Sequence, residues 1–359
     1  MSQADTRCQS HTAALARPEL TQQFVADIRG RFRPIRGRVR HFAAEMDGFG
    51  LGDRAETARL QDGDDDDLPD DWPDPPDVRP NQTSTAQARS FIEWLREALR
   101  NGVLEPADGE SLQRLRAAEG SELRQRVLQW DHWTAPYILG VIRAAWDTAG
   151  GRLRVRGGRI SDTEWPEDAG VEGAFDIGVR PSLLRDLYLQ CYRGLADIVD
   201  DAAADDVRAT ITEGVAAGLN PRDIARELTA DIRKLQRTRA EAHVRTTTAH
   251  ARTQSTLGRY EAAGESVVSH VEFSDSADTR VCAFCRRLDG IEMTIEEMQG
   301  THVLFRGDVY RLSPPAHTNG RCLPLPAVGA SAPEEPLGDR LPASMTILTT
   351  QADPNALAR

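Results

Sequence analysis

Four residues near the C-terminal end constrain the fold of this chain more than any other feature. Cys282 and Cys285 form a C-x2-C pair, and after 31 intervening residues His317 and Cys322 follow as an H-x4-C pair. Three thiolates and one imidazole form a donor set that suits tetrahedral Zn²⁺. A shared cation would hold two distant turns together and close the loop between them.

The pattern favours a structural metal site. All four ligands would come from the protein, so no coordination position would stay open for a substrate or water. Two alternatives remain: a disulfide between Cys282 and Cys285, or an accidental cluster in which His317 is an ordinary loop residue. We predict zinc bound by Cys282, Cys285, His317 and Cys322, and the sequence indicates no catalytic and no cofactor-binding residues.

Composition narrows the class of protein. Among 359 residues, 40% are hydrophobic, and no run of eighteen apolar residues or basic-then-apolar leader occurs, so we expect neither a membrane span nor secretion. Five cysteines cannot all pair within one chain, which favours metal binding in a reducing compartment over a disulfide framework.

The charge balance is unusual. Net charge is -12, Lys234 is the single lysine beside 43 arginines, and aspartate (33) exceeds glutamate (23). Such a surface suits concentrated salt, so we expect a halophilic source, although GC-rich codon usage alone explains the arginine bias. At molar salt the Debye length is only ~3 Å, and long-range attraction to DNA would be weak.

Apolar spacing predicts a mainly helical N-terminal and middle region. The apolar residues recur at helical intervals in several stretches: Leu20, Phe24, Ile28, Phe32 and Ile35; Phe91, Leu95 and Leu99; Leu184, Leu187, Tyr188 and Cys191; Ile224, Leu228, Ile232 and Leu235. Pro34 should kink or end the first helix. Asn220 and Pro221 should begin another, and a further helix is expected from about Ala240 to Tyr260.

Basic residues concentrate in two helical segments. The first helix has arginines at positions 29, 31, 33, 36, 38 and 40. The second segment, residues 221–260, contains nine cationic and four acidic residues. A solvated basic face explains the first group, and docking to an acidic partner or to DNA is the alternative.

The C-terminal part has strand-like patterning. Val267, Val271 and Phe273 indicate a strand, and residues 303–310 indicate a β-hairpin. Leu153, Val155 and Val171 are also candidates for short strands. We therefore predict an α+β fold in which a small C-terminal β-containing module is stapled by the Cys/His cluster. The predicted parts are 1–61, an N-terminal tail and basic helix; 62–84, an acidic Pro-rich linker; 85–264, a helical region; 265–329, the β module; and 330–359, a flexible tail.

Two C-terminal blocks resemble the phage Mu protein F-like, or head morphogenesis, minor capsid proteins of tailed viruses. The first block is matched by Asp278, Arg280, Cys282, Cys285, Leu288 and Gly290, and the second by Pro315, His317, Asn319, Arg321 and Cys322. The phrase at 218–226 is also similar, and the resemblance spans about 180–326. The chain departs from the family pattern at three places. It has Gly320 where the family often has a cysteine and Thr318 where the family often has a proline, and it lacks the acidic residue that often follows Arg245-Thr246.

The resemblance implies a non-catalytic protein present in few copies at the portal vertex, acting in head morphogenesis and in genome packaging or ejection. It implies the portal protein as partner, with the major capsid or scaffold protein as a further expected contact. The arginine-rich helices add weak non-specific DNA contact as an expectation, and the composition predicts no membrane contact. The protein would lie in the virion, in the capsid interior or at the portal vertex, after assembly in the host cytoplasm. Together with the composition, it suggests a haloarchaeal virus.

Two other functions remain open. One is a nuclease or transferase with the cluster near its active site, for which Glu292, His302 and Asp308 are the candidate acids and base. The other is a zinc-dependent DNA-binding protein. The 31-residue gap between Cys285 and His317 is unlike the short helix-bearing loop of C2H2 fingers, and the net charge also opposes this function.

Overall fold

The computed structural model describes residues 18–45, 84–105, 109–158, 165, 170–202, 205–217, 219–276, 279–317 and 320–348. The predicted N-terminal tail before Pro18, nearly all of the acidic linker, Thr318 and Asn319 lie outside these ranges. Predictions that fall on those residues therefore remain predictions.

Helices dominate the described part of the chain up to Ala263. The α-helices there are α1 Pro18–Arg40, α2 Ser84–Leu99, α3 Gly109–Ala117, α4 Gly120–Leu128, α5 Ala135–Val155, α6 Gly170–Asp176, α7 Pro181–Ala202, α8 Asp205–Ala216 and α9 Pro221–Ala263. Short π-helical turns, His41–Glu45 and Arg100–Leu104, extend α1 and α2.

Two small antiparallel sheets follow. The remaining elements are β1 Val268–Ser274, α10 Ala283–Leu288, β2 Glu292–Met293, α11 Ile295–Gly300, β3 His302–Phe305, β4 Asp308–Arg311, β5 Leu323–Val328, α12 Leu337–Arg340 and β6 Met345–Leu348. Strand order is β2-β1-β5 in one sheet and β4-β3-β6 in the other. The predicted α+β class, helical first and β-containing at the C-terminal end, is confirmed.

The first helix continues through Pro34, so the helix does not end at this proline, and a kink there stays a prediction. Phe32 precedes the proline and Ile35 and Val39 follow it, and all three are fully buried. Burial of apolar side chains on both sides offsets the hydrogen bond that proline cannot donate within the helix.

The long helix α9 is the scaffold of the molecule. Its 43 residues begin after Asn220, whose side chain accepts a hydrogen bond from the Arg222 amide at 2.9 Å, and they end before Gly264 at φ 87°. Two predicted helices are thus one, about 65 Å long at 1.5 Å per residue. It packs against α1, α5 and α7. Its buried apolar side chains, among those described, are Ile224, Ala225, Leu228, Ile232, Ala240, Val244, Ala251, Leu257 and Tyr260.

Residues 150–180 differ from the prediction of short strands. Leu153 and Val155 lie in the last turns of α5, and Val171 lies in α6. Ala149 and Leu153 are four residues apart and fully buried, so they keep one helical face in the core despite the neighbouring glycines.

The predicted β-hairpin is confirmed, with Val303 opposite Tyr310. The prediction of a flexible tail from residue 330 is wrong for 337–348, because β6 pairs with β3 and places Met345 opposite Phe305. Leu337, Leu341 and Met345 are buried in the same core as the hairpin, which accounts for the order of this segment. The β module therefore extends to residue 348.

Candidate metal centre

The C-x2-C pair lies at the start of helix α10. Cys282 is the N-cap, and its Sγ accepts a hydrogen bond from the Cys285 amide at 3.3 Å. Cys285 follows in the first turn and is 2% exposed. A helix start aims both sulfurs to one side, because the N-cap side chain folds back over the first turn.

His317 reaches both sulfurs from the second turn. Its Nε2 lies 3.2 Å from Cys282 Sγ and 3.3 Å from Cys285 Sγ. The ligand atoms of Cys282, Cys285 and His317 all lie within 4.8 Å of one another. Three of the four predicted ligands, separated by up to 35 positions, are thus brought to one point.

Cys322 is buried beside this group and immediately precedes β5. Its thiol interacts with the Cys285 thiol. The pKa of Cys285 is raised, first by the hydrogen bond to Cys322, then by burial, and then by the charges of Cys322 and Cys282. Within the described part of the chain, Cys322 is not among the ligand atoms that all lie within 4.8 Å of one another. Its Sγ therefore lies beyond 4.8 Å of at least one of the other three ligand atoms.

Gly320 shapes the turn that joins His317 to Cys322. Its amide donates to the His317 carbonyl at 3.0 Å, and a Cβ at this position would lie 2.9 Å from Pro315 Cβ and 3.0 Å from that carbonyl oxygen. Its φ is not among the positive values found in the described residues. Glycine is needed here for close approach rather than for left-handed backbone, and the cysteine frequent in the resembling family would not fit this turn.

Aromatic packing and backbone bonds fix α10 in the module. The Phe284 ring stacks on Tyr310 of β4 with centroids 4.2 Å apart. Just after the helix, the Gly290 amide donates to the Phe273 carbonyl of β1 at 2.9 Å, and Asp289 Oδ1 accepts from the Asp275 amide at 3.0 Å. The cysteine pair is therefore carried by a helix that both sheets hold in place.

The chemistry of this donor set fits Zn²⁺. Sulfur and imidazole nitrogen are its preferred ligands in structural sites. Crowded, buried thiols resist ionisation, which the raised pKa of Cys285 expresses. A bound cation would reverse this effect, because a thiol that coordinates a metal does so as the thiolate and releases its proton to solvent. The residues could therefore hold zinc, and ligation by all four stays a prediction.

The long helix α9 places two side chains near the cysteine–histidine cluster. Arg252 is half-buried, and this burial lowers its pKa to about 10; Arg152 acts in the same direction, and Cys322 opposes it. Two residues further along α9, Gln254 Nε2 donates to Ser313 Oγ at 2.9 Å, and Ser313 lies four residues before His317. The sequence indicated an Arg-rich α9 but gave no sign that Arg252 turns inward beside a cysteine.

The candidate acids and base of an enzyme do not come together. Glu292 lies in β2, where its Oε2 is 3.5 Å from the buried His270. His302 lies opposite Arg311 and Asp308 opposite Phe305, at the two ends of the β3–β4 hairpin in the other sheet. His302 and Phe305, the residue opposite Asp308, are three positions apart along β3, which is about 10 Å.

No helix within the described ranges has both the length and the apolar character needed to cross a membrane.

Comparison with known proteins gives one match. Residues 205–324 match the family described as Phage Mu protein F like protein. No curated protein and no solved structure matches the chain. The matched region begins at α8 and includes α9 and all four predicted ligands, and it lies inside the stretch in which sequence analysis identified the resemblance. The family indicates a phage head morphogenesis protein. Residues 205–324, about a third of the chain, are therefore similar to the phage Mu protein F like family.

Proposed function

We propose that this protein is a non-catalytic minor head protein of a tailed virus that acts at the portal vertex. In this role it would assist head morphogenesis and genome packaging or ejection. The observation that carries the proposal is the family match over residues 205–324. The portal protein is the proposed partner, with the major capsid or scaffold protein as a further contact.

The arrangement of the matched region supports a mechanical role. Helix α9 is about 65 Å long and packs against α1, α5, α7 and α8, so it resists bending. The predicted zinc site would brace the β module at one end of this rod, with Arg252 beside Cys322 and Gln254 bonded to Ser313.

The donor set also supports a non-catalytic role. Four protein ligands leave a zinc ion no open position at which to activate water or polarise a substrate. The acids and base proposed for an enzyme lie in separate places, with Glu292 in one sheet and His302 and Asp308 in the other. No arrangement among these three favours a nuclease or transferase.

The proposal is tested by asking whether the protein enters heads through the portal. Purified, nuclease-treated virions should contain it in fewer copies than the major capsid protein, measured by quantitative mass spectrometry. The same virus's portal protein, tagged and co-expressed, should retain it during purification.

A pair of cysteine variants makes this test specific for the module. Cys285→Ser removes a predicted ligand and should lower portal retention, whereas Cys191→Ala removes a buried thiol of α7 far from the cluster in sequence and should not. Absence of the protein from virions, or portal binding that neither variant changes, would count against this role for the module.

A further inference from the structure

A second site lies between α1 and α9, away from the cysteines. The two helices enclose an open groove of about 430 Å³ lined by Arg29, Arg33, Arg36, Arg233, Arg237 and Glu241. Five guanidinium groups and one carboxylate give the lining a net charge of +4, in a chain whose net charge is -12. The sequence showed two basic segments; the fold places them face to face.

Only some arginines of α1 line this groove. Arg31, between two of the lining residues, turns into the fold, where its guanidinium lies 4.3 Å from the Trp133 ring centre and donates to the Gly102 carbonyl at 3.3 Å. Arg29, Arg33 and Arg36 recur at intervals of four and three, so they share one face of the helix. Within α1, Arg31 therefore packs inside the fold, whereas Arg29, Arg33 and Arg36 line the groove.

The acidic side chain in the groove is already paired. Glu241 bonds to Arg29 and lies 3.6 Å from Arg245. Arg33, Arg233 and Arg237 are exposed, and among the described residues no acidic side chain forms an ion pair with them. Like charges at these helical spacings repel one another, so a bound polyanion would offset the electrostatic repulsion between these arginines.

The lining itself indicates which polyanion fits. All six residues are charged, whereas protein–protein interfaces depend on apolar and aromatic anchors at their centre. Interfaces with DNA are polar and strongly positive, and the arginine fork matches phosphate oxygens in pairs. Duplex DNA also carries one charge per ~1.7 Å, about twice the density that an extended acidic peptide reaches.

We propose that this arginine groove binds the phosphate backbone of double-stranded DNA without reading its sequence. Within the proposed function, the duplex would be the packaged genome. The rest of the surface repels DNA through its net negative charge, so contact is confined to one face of the protein.

The test uses the full chain and a short mixed-sequence DNA duplex, with binding followed by fluorescence anisotropy across a salt series. The groove variant is Arg33→Gln, Arg233→Gln, Arg237→Gln, which leaves the Arg29–Glu241 pair intact. The matched control, Arg114→Gln, Arg116→Gln, Arg226→Gln, makes the same charge change at exposed arginines elsewhere.

Three lost phosphate contacts should lower the slope of log K against log salt by about 2.7 and weaken binding by about 10² to 10³-fold at about 0.1 M salt. The control should change binding little, and thermal unfolding of both variants should match the wild type. Equal losses in the two variants, no binding by the wild type, or a poly-aspartate peptide bound as tightly as the duplex would overturn the proposal, the last in favour of an acidic protein partner. Because this assay needs no virion, its failure is separate from a failure of portal association.

Discussion

Substitution of Gly320 by alanine tests whether the turn between His317 and Cys322 is as tight as the structure shows. The added Cβ would lie 2.9 Å from Pro315 Cβ and 3.0 Å from the His317 carbonyl oxygen. Real Cβ atoms essentially never approach other atoms this closely, so the turn must open and carry His317 with it.

The expected cost follows from the nature of the clash. Overpacking of a tight site costs about 1–3 kcal/mol. This cost falls on the metal-bound form, because the turn is fixed when both His317 and Cys322 bind the ion. Gly320→Ala should therefore weaken zinc binding by about 10- to 100-fold, although it removes no ligand.

The assay is competition for zinc against a chromogenic chelator, with Gly300→Ala as the matched control. Gly300 ends α11 in the same module, and a Cβ there meets nothing within 4 Å. The control should keep wild-type affinity. Wild-type zinc affinity in Gly320→Ala, or an equal loss in Gly300→Ala, would refute the role assigned to this turn.

Three further predictions concern stability. Asn220→Ala should lower the free energy of unfolding by about 1 kcal/mol in urea titrations, because the N-cap bond at the start of α9 is lost; an unchanged midpoint would contradict this. Burial lowers the pKa values of His132 and His243 to about 4, so the unfolded chain binds protons first and stability should fall as pH drops from about 6.5 to 4. His132→Asn should flatten that dependence and exposed His41→Asn should not; equal slopes would argue against buried neutral histidines. If the source is halophilic, the thermal midpoint should rise between about 0.1 M and molar KCl, where charge repulsion is screened, and a flat response would favour codon bias as the origin of the composition.

Local patterns predicted most of the secondary structure. Phe24, Ile28 and Phe32 marked the buried face of α1, and Asn220 with Pro221 marked the start of α9. These signals are visible in sequence because a helix repeats its apolar face every three or four residues and its first turn needs a side-chain acceptor.

Tertiary packing determined the structural features that local sequence patterns did not predict. Pro34 lies inside α1 because the residues around it are buried, and β6 forms because Leu341 and Met345 complete a core whose other members come from distant strands. Neither outcome has a signature within a few residues of the position.

The candidate metal centre and the arginine groove also differ in how far the sequence predicted them. Cysteine and histidine spacing predicted that Cys282, Cys285 and His317 would meet, since few arrangements explain such residues in that order. The arginine groove needs α1 and α9 to pack side by side, and Arg233 and Arg237 carry no sequence signal that they face Arg33.

Elemental analysis of the purified, folded protein is the most direct measurement of whether one ion joins the two turns of the β module. We predict one zinc per chain in the wild type and in Cys191→Ala, and its loss in Cys282→Ser. A well-folded wild-type protein that contains no metal would contradict the shared metal site.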